Sequence, residues 1–332
     1  MQKNFRLLFF VCWLFVSPLI ATPYFKMIVC GWMGGPLETN LSGYLFAPIS
    51  SEQYISFDAG SMLAGIEMAV SQGSFPHINL DDPKVRYEAP AQIMRRHIKA
   101  YLISHPHLDH IGGLVVNSPI DTRSLIMGTP FTIDAIRDHL FNCVVWPNFG
   151  NEGHEPLGIY EYERLKLHTT TKIADTTMNV KAFPLHHPGC YESTAFLIEN
   201  DGHYALYIGD TSPDALEKTP RLEIIWKEVA PLIQKGVFHG IFLECAYENS
   251  RSDRELYGHL KPKYMLEELE KLATLVNPTV PTLKDVQIFV THIKQTYIKN
   301  NDAVQMVKQQ LEGGNRYNFH FVFLNQGQKY EF

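Results

Sequence analysis

The chain has 332 residues, 45% of them hydrophobic and 19% charged, with 29 basic against 35 acidic side chains. That length and apolar content exclude a disulfide-stapled miniprotein and a disordered chain, and a net charge of −6 without a long basic block argues against a nucleic-acid backbone as the main partner. The 15 histidines are the departure from ordinary usage, because imidazole is both a metal ligand and a proton carrier.

Residues 1–21 begin with Lys3 and Arg6, continue as an apolar run over 7–16, break at Ser17-Pro18 and reach Ala21. This layout predicts a secretory signal peptide cut after Ala21, since the run falls short of the ~20 residues that a membrane span needs. The mature chain is therefore expected in the periplasm or outside the cell, with no stable membrane anchor and a net charge of −6 − 2 = −8. Cleavage also removes Cys12. Cys30, Cys143, Cys190 and Cys245 remain, none of them in a CxxC pair, and read as mostly buried small apolar residues with one disulfide left open.

Residues 22–332 read as a single domain. Strands are predicted at 27–29, 44–46, 54–57, 100–103, 125–127, 195–198, 204–208, 240–243 and 287–290, and helices at 62–70, 132–141, 222–233, 264–275 and 303–311. Strands and helices mixed without strict alternation predict an α+β fold, with sheets flanked by helices. Residues 72–92 and 146–160, rich in Pro, Gly, Asn and His, read as long surface loops.

The strongest chemical signal follows the strand at 100–103, in His105-Pro106-His107-Leu108-Asp109-His110-Ile111-Gly112-Gly113. Crowding three imidazoles and a carboxylate at a strand end is costly unless they bind something. Imidazole and carboxylate suit zinc, manganese or iron; His105 and His107 can reach one ion from one side of an extended chain, while Asp109 and His110 point to a second. Later strands end in the same manner, in His186-His187-Pro188, Gly209-Asp210-Thr211, Glu244 and His292. One such strand end alone is a turn former or a satisfied polar residue as readily as a ligand; the recurrence is the signal.

This order of HxHxDH, a strand-end His, an Asp in a Gly-Asp turn and a late His resembles the metallo-β-lactamase superfamily. A narrower resemblance, to the class II 3′,5′-cyclic-nucleotide phosphodiesterases, is carried by the fifteen residues from His105 to Leu114-Val115-Val116-Asn117-Ser118-Pro119 and by segments 34–42, 57–61, 193–198, 256–260 and 291–294. The first resemblance implies a four-layer αββα sandwich with two divalent metal ions at one edge of its sheets, zinc foremost, with manganese or iron as alternatives. His105, His107 and His187 would hold one ion, Asp210 would bridge, and Asp109, His110 and His292 would hold the other. The family usually has Ser-His-Gly where this chain has His186-His187-Pro188, which selects His187 over His186.

The narrower resemblance implies hydrolysis of a 3′,5′-cyclic nucleotide, cyclic AMP or cyclic GMP. On that resemblance, two ions would supply Lewis acidity toward a water that attacks the phosphorus in line, and the 3′-oxygen would depart to leave a nucleoside 5′-monophosphate. The pattern of Glu244, His259 and His292 resembles that of tRNA 3′-processing endonucleases. It implies His259 as the general acid for the departing oxygen, with Glu244 orienting it. Asp58 is expected to orient the ligand loop. Gly34-Gly35-Pro36 reads as a phosphate-approaching or a simple tight turn, and Trp146, Phe149 and Tyr160 as a purine stack or as packing on the sandwich. A hydrolase of the same fold acting on another phosphodiester, a lactam or a thioester is the alternative. A non-catalytic metal-binding protein would require a broken ligand set. Oligomeric state, a homodimer included, is left open.

Overall fold

The computed structural model describes residues 22–189 and 191–332, so the expected leader at 1–21 and Cys190 lie outside the described residues. Two seven-stranded sheets dominate. The first runs, in spatial order, Lys329–Glu331, Phe25–Gly31, Gly43–Pro48, Tyr54–Phe57, Ile98–Leu102, Ser124–Gly128 and Tyr160–Arg164, antiparallel up to Tyr54–Phe57 and parallel beyond it. The second runs His320–Phe323, Gln287–Thr291, Phe238–Glu244, His203–Ile208, Glu192–Asn200, Asn179–His186 and Thr170–Lys172, parallel through its first four strands and antiparallel beyond them.

The inner faces meet through aromatic rings. Phe57 stacks on Tyr207 with centroids 4.8 Å apart, and Phe46 meets Phe242 edge-on at 6.3 Å. Helices Leu63–Ser71, Ala89–His97, Leu108–Asn117 and Pro130–His139 cover the outer face of the first sheet, where Ile66, Ile93, Leu114 and Ile133 pack with Ile28 and Leu45. Helices Arg221–Gln234, Pro262–Val276 and Ala303–Gly314 cover the second through Trp226, Leu269 and Val307. The chain is a four-layer αββα sandwich. Central strands buried on both faces need continuous apolar sequence, as in Phe238–Glu244, whereas the edge strand Tyr160–Arg164 alternates buried Tyr160 and Tyr162 with exposed Glu161 and Glu163. Among the described residues no helix is long and apolar enough to cross a membrane.

Each predicted strand and helix falls on an observed one, with boundaries agreeing to within three residues. Three helices were not predicted: Ala89–His97, whose start lies in the expected loop 72–92, Leu108–Asn117, which carries part of the histidine motif, and the single turn Asp214–Glu217. Cys30 and Cys245 are buried thiols as expected, but Cys143 is exposed, in a turn at φ 62° beyond the sandwich.

The topology gathers one set of strand ends. Tyr54–Phe57, Ile98–Leu102, His203–Ile208 and Gln287–Thr291 are parallel to a sheet neighbour, and they deliver Asp58, His105, Asp210 and His292 just past their carboxyl ends. Glu244 is the last residue of Phe238–Glu244, and His187 follows Asn179–His186.

Candidate active site

The ligand loop is set by Asp58. This residue sits at φ 51°, unusual for a non-glycine residue, and its buried carboxylate draws in three elements at once. Ser104 donates to it through its backbone N (2.7 Å) and its Oγ (2.8 Å), Tyr207 of the second sheet through its hydroxyl (2.5 Å), and His110 through Nδ1 (2.7 Å). His107 is extended (φ −72°, ψ 146°) and hands the chain to the helix Leu108–Asn117. Asp109 lies in that helix's first turn, where the macrodipole favours a carboxylate. The helix packs so closely that a Cβ on Gly113 would lie 2.8 Å from Ala59 O, so only glycine fits there. The signature residues at its far end are structural: Asn117 Oδ1 accepts from Leu63 N (3.1 Å), and Ser118 Oγ accepts from Trp146 Nε1 (3.0 Å).

Four imidazoles are oriented through Nδ1. His110 meets Asp58, and His187 meets the Gly258 carbonyl at 3.3 Å; both partners only accept, so each ring carries its proton on Nδ1. Ser104 Oγ, having donated to Asp58, is left to accept from His105 Nδ1 at 3.0 Å, and Ser42 Oγ lies 3.0 Å from His292 Nδ1. Every Nε2 therefore turns to a common centre. His105 Nε2 and His187 Nε2 lie 3.0 and 3.4 Å from His107 Nδ1. Asp210 Oδ1 is 3.3 Å from His110 Nε2, and Asp210 Oδ2 is 3.2 Å from His292 Nε2 and 3.6 Å from His105 Nε2. Asp109 Oδ2 is 3.6 Å from His292 Nε2.

This set fits metal ions and fits nothing within the protein. His110 Nε2 and His292 Nε2 are buried with no hydrogen-bond partner, and lone pairs of three other rings face one another. Such buried polar atoms cost free energy unless an electrophile occupies their centre. Donor atoms of His105, His107, His187 and Asp210 lie within 4.8 Å of one another, as do those of Asp109, His110 and His292. Burial pushes His105 and His107 below their ordinary range and His187 down to about 4, so these rings are neutral, the form that coordinates. Burial opposes charge on His110 as well, but Asp210, Asp58 and Asp109 outweigh it and hold that ring's pKa high; a cation would use the same carboxylate field. A Cβ on Gly34 would lie 2.5 Å from His292 Nε2, so the Gly34-Gly35 turn makes room for this imidazole.

The neighbouring histidines 186 and 187 separate cleanly. His187 joins the donor group, whereas His186 Nε2 pairs with Glu217 Oε2 at 3.2 Å. His187→Ala is expected to lower metal content and to cut turnover by more than the ~10–100-fold typical of losing an outer partner; His186→Ala should cost less than about 10-fold. Metal analysis and kcat on the two variants check this, and the reverse order would exclude His187 as a ligand.

Beside the donors, His259 Nδ1 is 3.0 Å from Glu244 Oε1 and 3.7 Å from Asp210 Oδ2. Glu244 is fully engaged, accepting also from Thr211 N (2.8 Å) and Leu260 N (3.3 Å). Burial opposes the charged form of His259, but the Glu244 and Asp210 carboxylates outweigh it and raise its pKa. Asp210, His259 and His292 could also be grouped as donors, yet the Glu244 bond places the His259 proton on Nδ1 and leaves Nε2 as its free polar atom. A cavity of about 610 Å³, ample for a nucleotide, opens here, lined by Asp109, Asp210, His259, Tyr247, Tyr257 and Lys294.

Sequence reasoning gave no role to Ser42, Ser104, Tyr207 and Lys294; Ser42 and Lys294 lie inside segments 34–42 and 291–294 and Ser104 lies just before His105, but no spacing marks their part in the site. Trp146, Phe149 and Tyr160 pack on the helices over the first sheet, away from this cavity, and Tyr160 donates to buried Asp121 (2.9 Å).

Comparison with known proteins gives a consistent picture. The family model described as cAMP phosphodiesterases class-II matches residues 25–322. A 3′,5′-cyclic-nucleotide phosphodiesterase of Aliivibrio fischeri is 32% identical, with 100% of each chain covered. The crystal structure of unliganded yeast PDE1 is similar at a TM-score of 0.79 and 26% identity, covering 94% of this chain and 100% of that one. The metallo-beta-lactamase fold protein YhfI from Bacillus subtilis shares the fold, at a TM-score of 0.59 and 14% identity over 93% of this chain and 99% of that one.

Proposed function

The chain belongs to the class-II cAMP phosphodiesterase family, and on that premise we propose that it hydrolyses a 3′,5′-cyclic nucleotide to the nucleoside 5′-monophosphate at the histidine–aspartate centre. The observation that carries this reading is the pair of donor groups, His105–His107–His187–Asp210 and Asp109–His110–His292, beside a cavity of nucleotide size. Two divalent ions bound there, zinc foremost, would supply Lewis acidity toward water and toward the phosphoryl oxygens.

The chain's own residues do the remainder. Asp58, Ser104, Ser42 and the Gly258 carbonyl fix the imidazoles, so little reorganisation is needed at the moment of reaction. Asp210 reaches both donor groups and couples them. His259, charged by Glu244 and facing the cavity, delivers a proton to the departing 3′-oxygen, a poor leaving group as an alkoxide. The test is a substrate panel: cyclic AMP, cyclic GMP or both should be turned over, and nitrocefin and an acyl thioester should not. Turnover of the lactam or thioester alone would defeat the reading.

Export is part of the same proposal and rests on the composition of residues 1–21. Tagged protein is expected in the periplasm or medium with its N-terminus at Thr22, checked by N-terminal sequencing. An intact N-terminus in a membrane fraction would overturn it.

A further inference from the structure

Lys294 has no part in the donor groups, yet it stands at their edge. It belongs to the two-residue strand Ile293–Lys294, paired with Met33–Gly34, and its backbone N donates to Ala246 O at 2.9 Å, so its position is fixed. Its Nζ lies 3.7 Å from Asp109 Oδ2, an ion-pair contact too long for a hydrogen bond. The side chain lines the same cavity as Asp109, Asp210 and His259, and Tyr247, whose ring lies 5.8 Å from the His259 ring, lines it too.

The Asp109 and Asp210 carboxylates favour this ammonium as it stands, and the placement would become costly once a metal ion took up their charge. A divalent ion on Asp109 would put a second cation within one carboxylate of the ammonium, and like charges at that distance repel unless a negative group stands between them. A phosphodiester brings one negative charge to that place, and a phosphomonoester product brings nearly two. Of the lysine and arginine side chains on the cavity wall, Lys294 and Arg254, it is Lys294 that contacts a donor residue.

We propose that Lys294 is the phosphate anchor of this site: its ammonium takes a non-bridging phosphoryl oxygen on the Asp109 side of the cavity and leaves His259 to the departing oxygen. The proposal deepens the phosphodiesterase reading and rests on it. A charge-assisted hydrogen bond of this kind carries about 10–100-fold in affinity.

The experiment compares wild type, K294M and K294R, each with metal restored and its metal content measured. Equilibrium binding of 5′-AMP is read by calorimetry, and KM and kcat are read on cyclic AMP. In K294M, 5′-AMP binding should weaken by about 10–100-fold and KM for cyclic AMP should rise, with metal content unchanged; K294R, which keeps the cation, should recover most of the binding. Unchanged 5′-AMP affinity in K294M, or a loss of metal that accounts for the defect, would overturn the anchor and leave Lys294 as a partner of Asp109. A wild-type chain that binds 5′-AMP through Lys294 but leaves cyclic AMP intact would instead overturn the phosphodiesterase reading alone.

Discussion

Asp210→Ala should abolish turnover and lower metal content together. Asp210 is buried, and its two oxygens face different histidines: Oδ1 faces His110 at 3.3 Å, and Oδ2 faces His292 at 3.2 Å and His105 at 3.6 Å. His105 belongs to one donor group and His110 and His292 to the other, so this carboxylate reaches both. Burial alone would favour its protonated form, but His292, His110 and His259 outweigh burial and keep it ionised, as a ligand must be. Its removal forfeits metal assistance worth several kcal/mol, or about three or more decades of kcat. Metal analysis alongside cyclic AMP turnover checks this. Full occupancy with near-normal turnover would refute the shared-carboxylate assignment.

His259→Ala should lose about 10²–10⁴ in kcat on cyclic AMP and much less on a p-nitrophenyl phosphodiester, whose phenolate departs without a proton. The contrast between substrates is the informative part. Loss of a phosphate-binding group would hurt both esters alike, whereas loss of a proton donor hurts only the one with the poor leaving group. Metal content should stay unchanged, because the 3.0 Å contact with Glu244 occupies Nδ1. Glu244→Gln should show a weaker version of the same pattern, since the amide still orients the ring but no longer favours its charged form. Equal losses on both esters would reassign His259 to phosphate binding, and metal loss would make it a ligand.

The histidines and carboxylates that the structure gathers were legible because they cluster in HxHxDH or sit at the ends of apolar strands, and strand ends are recognisable from hydrophobic runs. The helix Leu108–Asn117 was not legible. Its first turn is polar, and adjacent Gly112 and Gly113 have poor helix propensity; it forms because glycine lets it pack against the backbone at Ala59 and Met62, a tertiary cause that no local window contains. The residues that aim the rings were hidden for a related reason. Ser42 lies 250 positions from His292, Tyr207 lies 149 from Asp58, and the Gly258 carbonyl lies 71 from His187, so only the closed sandwich brings them together. The segment Asn117-Ser118-Pro119 carried family resemblance, yet it holds helix Leu63–Ser71 and Trp146 in place and makes no part of the cavity. Family signatures preserve scaffolding as well as chemistry.

One measurement addresses both the paired metal centre and the cyclic-nucleotide substrate. Purified protein, its metal content determined per chain, is mixed with cyclic AMP, and the reaction is followed by phosphorus NMR. Two divalent ions per chain and 5′-AMP as the sole product are expected, with turnover lost when the ions are removed and regained when they return. Conversion to 3′-AMP, or full turnover by a metal-free chain, would contradict that expectation.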